Sequence, residues 1–242
     1  PPPGRGADVA AAARDGALLG DATWPDTAVR ARSGAVLAVP VGSTEQHGPH
    51  LPLSTDTDIA VALCRRLAAA RPDVLVAPAV AYGSSGEHAG FAGTVSIGQA
   101  ATERLLVELG RSAAETFARV LFVSAHGGNA APVTRAVRRL RAESRDVAVH
   151  MPHWPGEPHA GRAETALMLA LRPSAVRLDL AVPGDPRPST PSCPSSAPAV
   201  CAPSAPPASS ATRPAPPPPK AAPSSPPSQP TSCTPSANGL WR

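Results

Sequence analysis

Four uninterrupted apolar runs set the strongest limit on what this chain can fold into. They are AVLAVPV (35–41), VLVAPAV (74–80), VLFVSA (120–125) and VAVHMPHW (147–154). A strand with one wet face alternates apolar and polar residues; a continuous run is covered on both faces, as in a parallel sheet. Parallel neighbours need long crossovers, and helices are the usual solution. The intervening segments have that character. TDIAVALCRRLAAAR has helical periodicity up to Pro72, and ATERLLVELGRSAAETF (101–117) reads as an amphipathic helix. A third helix runs through Val133, Val137 and Leu140, with Asn129 placed to cap it. AETALMLAL (163–171) is a further helix, stopped by Pro173. The expected fold class is α/β: a three-layer αβα sandwich with a mostly parallel central sheet.

In such sheets ligands bind beyond the carboxyl ends of the strands. The histidines gather there. His47 and His50 follow the first run, His88 the second and His126 the third. His153 and Trp154 end the fourth, with His159 and Glu164 soon after. Only His150 falls inside a run, where a core or sheet-face position is expected. The first loop, EQHGPHLPLSTD (45–56), packs Glu45, His47, His50 and Asp56 around Gly48, Pro49 and Pro52, which argue against a regular helix. Carboxylates with imidazoles and no thiolate suit Zn²⁺, Fe²⁺ or Mn²⁺. Glu45-x-His47 places both side chains on one side of an extended segment. Asp56 returns from the far end of the loop, where one oxygen can serve each of two ions. Such a pair, ~3.5–4 Å apart, polarises a carbonyl and activates water for amide hydrolysis. In HGGN (126–129) two glycines let another backbone approach closely.

Composition excludes other classes. The net charge of +4 raises nucleic acid as a partner, but aromatic residues are only 3% of the chain, so stacking platforms are scarce. The basic residues of the body, such as Arg138, Arg139 and Arg141, lie on helices. No apolar segment reaches the ~20 residues of a membrane span, so no membrane partner is expected. No signal-peptide pattern is visible, and Cys64 is alone in the body, which together predict a cytoplasmic protein without a disulfide framework.

The segments VPVGSTEQHGPHLPLSTD (39–56), YGSSGEHAGFAGTVSIG (82–98), VSAHGGN (123–129) and HAGRAET (159–165) resemble, in order, those of the creatininase family of metal-dependent amidohydrolases. Within it, the first two look most like the branch of the mycofactocin system, which trims a modified precursor peptide. The resemblance implies two divalent metal ions (Fe²⁺ and/or Zn²⁺, with Mn²⁺ possible) held by Glu45, His47, Asp56 and His126, Asp56 bridging, with Glu164 as a further ligand. It implies catalytic roles for His159, as a proton shuttle, and for Glu164. His50, His88, Gly127, Gly128 and Trp154 are candidates for substrate contact. The partner implied is the modified mycofactocin precursor peptide, from which a Val-Tyr-derived end is released, and a homo-oligomer is expected. Creatininase itself carries His-x-Glu at the third strand, where this chain has His126-Gly127-Gly128; that argues against creatinine as substrate.

The family pattern ETS is broken by Ala166, and the end of the chain departs further. Of 33 prolines, 19 lie after Leu180, and no acidic residue follows Asp185. The expected organisation is a flexible N-terminus (1–17), a hydrolase domain (18–180) and a Pro/Ser/Ala-rich tail (181–242). The tail reads either as a disordered extension or as the product of a frameshift, and the frameshift is preferred because the family's terminal structure is absent. Three functions stand: a peptidase on the mycofactocin precursor, a hydrolase of a small cyclic amide or formamide, and an inactive remnant or binding protein.

Overall fold

Apolar burial on both sides of one sheet sets the architecture. The computed structural model describes residues 17–153 and 159–183. The expected flexible N-terminus (to residue 16), Trp154 and nearly all of the tail lie outside the described residues. The elements run α1 (Trp24–Arg32), β1 (Val36–Val41), α2 (Thr55–Ala70), β2 (Val74–Val76), α3 (Gly98–Ala113), β3 (Arg119–Ser124), α4 (Ala130–Ala142), β4 (Val147–His150) and α5 (Arg162–Leu171). The four strands form one sheet in the order β2-β1-β3-β4, and every pairing is parallel.

The pleat explains the uninterrupted runs. Leu37, Val39, Val41, Leu75, Val120 and Phe122 point to one face, where Leu106 and Val107 of α3 and Val133, Val137 and Leu140 of α4 cover them. Ala38, Val74, Val76 and Val123 point to the other, against Cys64 and Ala68 of α2. α5 joins this second layer through Met168, which packs with Leu51 and with Ile59 of α2. The expected three layers are therefore present.

Several boundaries differ from expectation for local reasons. β2 stops at Val76, because Pro40 of β1 faces the following stretch and has no N–H to extend the ladder; beyond Val76 the chain stays on β1 through the Ala77 N–H to the Ala38 carbonyl and an isolated bridge between Val41 and Val80. β4 stops at His150, two residues before Pro152, and among the described residues has a strand partner on one side only. His150 is exposed there, so it is not a core residue. Asp56, expected at the end of a loop, lies in the first turn of α2. The loop before it turns sharply at Gly48, whose φ of 65° belongs to the left-handed region that glycine adopts without strain.

Chain order locates a crevice. From β1 the chain crosses to β2 on one side, then to β3 on the other. The gap between the carboxyl ends of β1 and β3 is thus a topological switch point, the place where open α/β sheets bind ligands.

Candidate metal centre

The carboxyl ends of β1 and β3 deliver the first candidate ligands. Glu45 and His47 follow β1, His126 follows β3, and all three are buried. α2 presents Asp56 from its first turn, and α5 presents Glu164 from its own. Among the described residues four groups of three potential ligands come together, and two of these triads share Asp56: Glu45, Asp56 and His126, and His47, Asp56 and Glu164. In each, one potential ligand atom per residue lies within 4.8 Å of the others. Asp56 belongs to both. Its Oδ1 is 3.1 Å from His47 Nε2 and its Oδ2 is 3.1 Å from His126 Nδ1, so each oxygen faces a different triad.

The residues fit a pair of cations, and Glu45 provides the test. Both of its oxygens are buried and without a hydrogen bond. His126 Nε2 at 3.3 Å and His88 Nε2 at 3.4 Å are near, but not in hydrogen-bonding geometry. A buried carboxylate without donors is costly unless a positive charge faces it. Two divalent ions would meet oxygen and imidazole ligands here, with no sulfur among them.

The protons of the metal-free centre follow from packing and charge. Burial pulls the His47 imidazole down, but Asp56 outweighs it and raises it to about 9. His126 likewise ends well above the ordinary value, through Asp56 and Glu45, despite its burial. Burial pushes Asp56 up, and the two imidazoles overcome that and hold it well below the usual carboxylate range. Glu45 is also lowered, His126 outweighing burial. Glu164 moves the other way: burial, then the Asp56 charge, lifts it to about 7. His159 falls to about 4, through burial first and then His47 and His88, so it is a neutral base near pH 7.

Residues that spacing alone does not reveal hold this arrangement. Ser43 donates from Oγ to Asp56 Oδ2 at 2.7 Å. The Gly48 N–H donates to Gln46 Oε1 at 2.9 Å, which fixes the amide so that its nitrogen lies 2.8 Å from His88 Nδ1. His159 Nε2 lies 2.8 Å from the Gln46 carbonyl oxygen, to which it donates, leaving Nδ1 as its basic nitrogen, 3.7 Å from Glu45 Oε1. His126 Nε2 donates to the Ser84 carbonyl at 2.8 Å, so its Nδ1 is the nitrogen free to bind a cation. Asn129 stands at the cap position of α4 but makes no capping bond. Its amide donates to the Gly42 carbonyl and accepts from the Ser84 N–H, both at 2.9 Å, and so ties the loops after β1 and β2 together. A buried amide that satisfies two strand-end groups outcompetes a cap that solvent can replace.

The other expected site residues divide. His159 lies between His47 and His88, its ring stacked on His88 with centroids 4.3 Å apart and tilted against His47 at 4.4 Å. His88 stands behind Glu45 and is buried. His50 bonds Thr165 Oγ1 through Nε2 at 2.9 Å, and its Nδ1 is buried without a partner. His50 and His159 share a cleft of about 500 Å³ with Gly48, Gly161, Thr165 and Val182, a size that admits a small ligand or a peptide end. Gly127 faces open space, whereas a Cβ at Gly128 would land on the Ser84 carbonyl oxygen and Glu87 Oε1. Trp154 lies outside the described residues.

Known proteins resemble this chain in sequence and fold. The family model described as "Creatininase: Creatinine amidohydrolase" matches residues 20–218. A "Mycofactocin precursor peptide peptidase" of Mycobacterium tuberculosis is 52% identical over 153 residues, which cover 59% of this chain and 61% of that protein. The match thus spans about three fifths of that relative's length. A "Creatinine amidohydrolase" of Pseudomonas putida is 31% identical over 204 residues, covering 70% of this chain and 77% of that one. The solved structure described as "Creatininase Mn" superposes with a TM-score of 0.63 at 29% identity, covering 76% of this chain and 86% of that chain.

Proposed function

Because the chain belongs to the creatininase family, we propose that it is a metal-dependent amide hydrolase acting as a peptidase on the modified mycofactocin precursor, releasing the Val-Tyr-derived dipeptide from its C-terminus. The observation that carries the chemistry is Asp56, one oxygen toward each ligand triad. When bound, a pair of divalent ions, Fe²⁺ or Zn²⁺ with Mn²⁺ as a third choice, polarises the scissile carbonyl and activates water. Glu45, Asp56 and His126 would hold one ion, and His47, Asp56 and Glu164 the other.

The protein's own groups do the rest. Water's oxygen bonds to the carbonyl carbon, the C–N bond breaks, and a proton passes to the leaving amine. His159 is the group to move that proton: it is neutral near pH 7, its Nδ1 faces the centre, and the Gln46 carbonyl holds its ring. The cleft shared by His50 and His159 receives the substrate, and open space at Gly127 admits an extended backbone. The choice of peptide is supported by the mycobacterial relative, and assembly as a homo-oligomer is part of the same reading.

The test combines metal analysis with product analysis. The loaded protein should carry two ions and cleave the modified peptide, with little turnover of creatinine. Asp56→Ala should lose both ions and His47→Ala mainly one. Full metal content in Asp56→Ala would remove the shared carboxylate. Efficient hydrolysis of creatinine with the peptide left intact would establish the small-amide reading instead.

A further inference from the structure

Gln46 stands between two candidate ligands, Glu45 and His47, is buried, and has a partner for each of its polar groups. Its N–H donates to Thr94 Oγ1 at 3.1 Å. The Gly48 N–H donates to its Oε1 at 2.9 Å, so the other end of the amide, Nε2, is the donor end. That nitrogen lies 2.8 Å from His88 Nδ1. Nδ1 must therefore accept, and His88 is a neutral ring with its proton on Nε2. The Gln46 carbonyl oxygen lies 2.8 Å from His159 Nε2 and can only accept, so His159 also carries a proton on Nε2. The amide nitrogen is farther from that atom, at 3.1 Å. The two rings stack, yet they are turned in opposite senses. Nearest Glu45 Oε1, His88 has its Nε2–H at 3.4 Å and His159 has the electron pair of Nδ1 at 3.7 Å.

We propose that Gln46 is a positioning residue that sets the proton pattern of this stacked pair: His159 offers the centre an electron pair, and His88 offers it an N–H. The backbone carbonyl of Gln46 fixes the first ring and its side-chain amide fixes the second. The pattern keeps a basic nitrogen where the proposed proton transfer needs one, and its kinetic consequence rests on that reading of His159. It also bars His88 from binding a cation. One potential ligand atom each of Glu45, Glu87 and His88 lies within 4.8 Å of the others. With the His88 proton on Nε2 that set has no free imidazole nitrogen, so it does not compete for Glu45.

The test variant is Gln46→Glu. It keeps an oxygen for the Gly48 N–H and puts a second oxygen where the amide nitrogen stood, so His88 must carry a proton on Nδ1 to meet it. The backbone carbonyl is untouched, so His159 is the internal control. The experiment is imidazole ¹⁵N NMR of the labelled full chain at pH 7, metal-free and loaded with Zn²⁺, with His88→Gln and His159→Gln used to assign the two rings. In wild type both rings should be protonated on Nε2 alone. In Gln46→Glu a proton should appear on His88 Nδ1 while His159 stays as it was. With the modified peptide as substrate, kcat of that variant should fall ~10–100-fold and KM should change little. A protonated Nδ1 on either ring in wild type would overturn the proposal, and that spectrum decides even where the variant fails to fold. So would an unchanged His88 in folded Gln46→Glu, or a wild-type kcat in a variant whose His88 has changed. Wild-type kcat in His159→Gln would instead remove the proton-transfer reading, with the proton pattern of the pair still standing.

Discussion

Gly42 is the point where β1 meets the helix that carries Asp56, and Gly42→Ala should damage both fold and centre. A Cβ there would sit 2.6 Å from the backbone nitrogen of Thr57 and closer still to Thr57 Cα and Oγ1. The nitrogen contact is about 0.8 Å short of the 3.4 Å at which ordinary contact begins. Two of the three are backbone atoms in the first turn of α2, so no rotamer change of Thr57 relieves the clash; the helix must move off the sheet. Overpacking of this kind costs ~1–3 kcal/mol, and a backbone clash belongs at the upper end, about 3 kcal/mol. For a domain of this size that is a fall in melting temperature of ~6–12 °C. Asp56 precedes Thr57, and ligands must hold their places to within ~0.5 Å, so both cation positions should weaken together. The assay is a thermal melt of the metal-free protein beside a metal titration. Gly127→Ala is the control: its Cβ would meet nothing within 4 Å, and stability should stay within ~0.5 kcal/mol of wild type. Wild-type melting and wild-type metal binding in Gly42→Ala would refute the close-approach argument.

Two further outcomes depend on buried groups. Asn129→Ala strands the Ser84 N–H and the Gly42 carbonyl, and should cost ~2–4 kcal/mol in urea unfolding; a loss below ~1 kcal/mol would show that the amide link is dispensable. Cys64 is fully buried, and burial pushes its thiol up to about 12. It therefore stays a neutral thiol from pH 7 to 9, and alkylation mapped by mass spectrometry should leave Cys64 unmodified in the native protein across that range; labelling that rises between pH 7 and 9 would contradict the packing.

The layer order is legible in the sequence because two covered faces leave an uninterrupted apolar record, as in residues 35–41. The residues that the structure brings together around Asp56 are legible from position: parallel strands carry the segments after β1 and β3 to one edge. Gln46, Ser43 and Glu87 are not, because each acts through a contact between loops whose approach no local pattern encodes. Gly128 shows the limit well. Its glycine signals close approach, but what approaches, the Glu87 carboxylate, is visible only in three dimensions. Asn129 misleads for a related reason: its position is that of a cap, while its bonds go to neighbouring loops.

Glu164, the last residue of the proposed ligand set, lies on α5, which packs on the body through Met168 against Leu51 and Ile59 in a small cluster of its own. Elements with few buried contacts open at lower free energy than the core strands. A brief detachment of α5 would open only the position shared with His47, while Glu45, Asp56 and His126 stay in place at β1, α2 and β3. Hydrogen exchange should therefore find the amides of α5 less protected than those of β1 and β3. The same ranking should set the order in which a chelator strips the two ions, with release from the His47 side keeping pace with the opening of that helix.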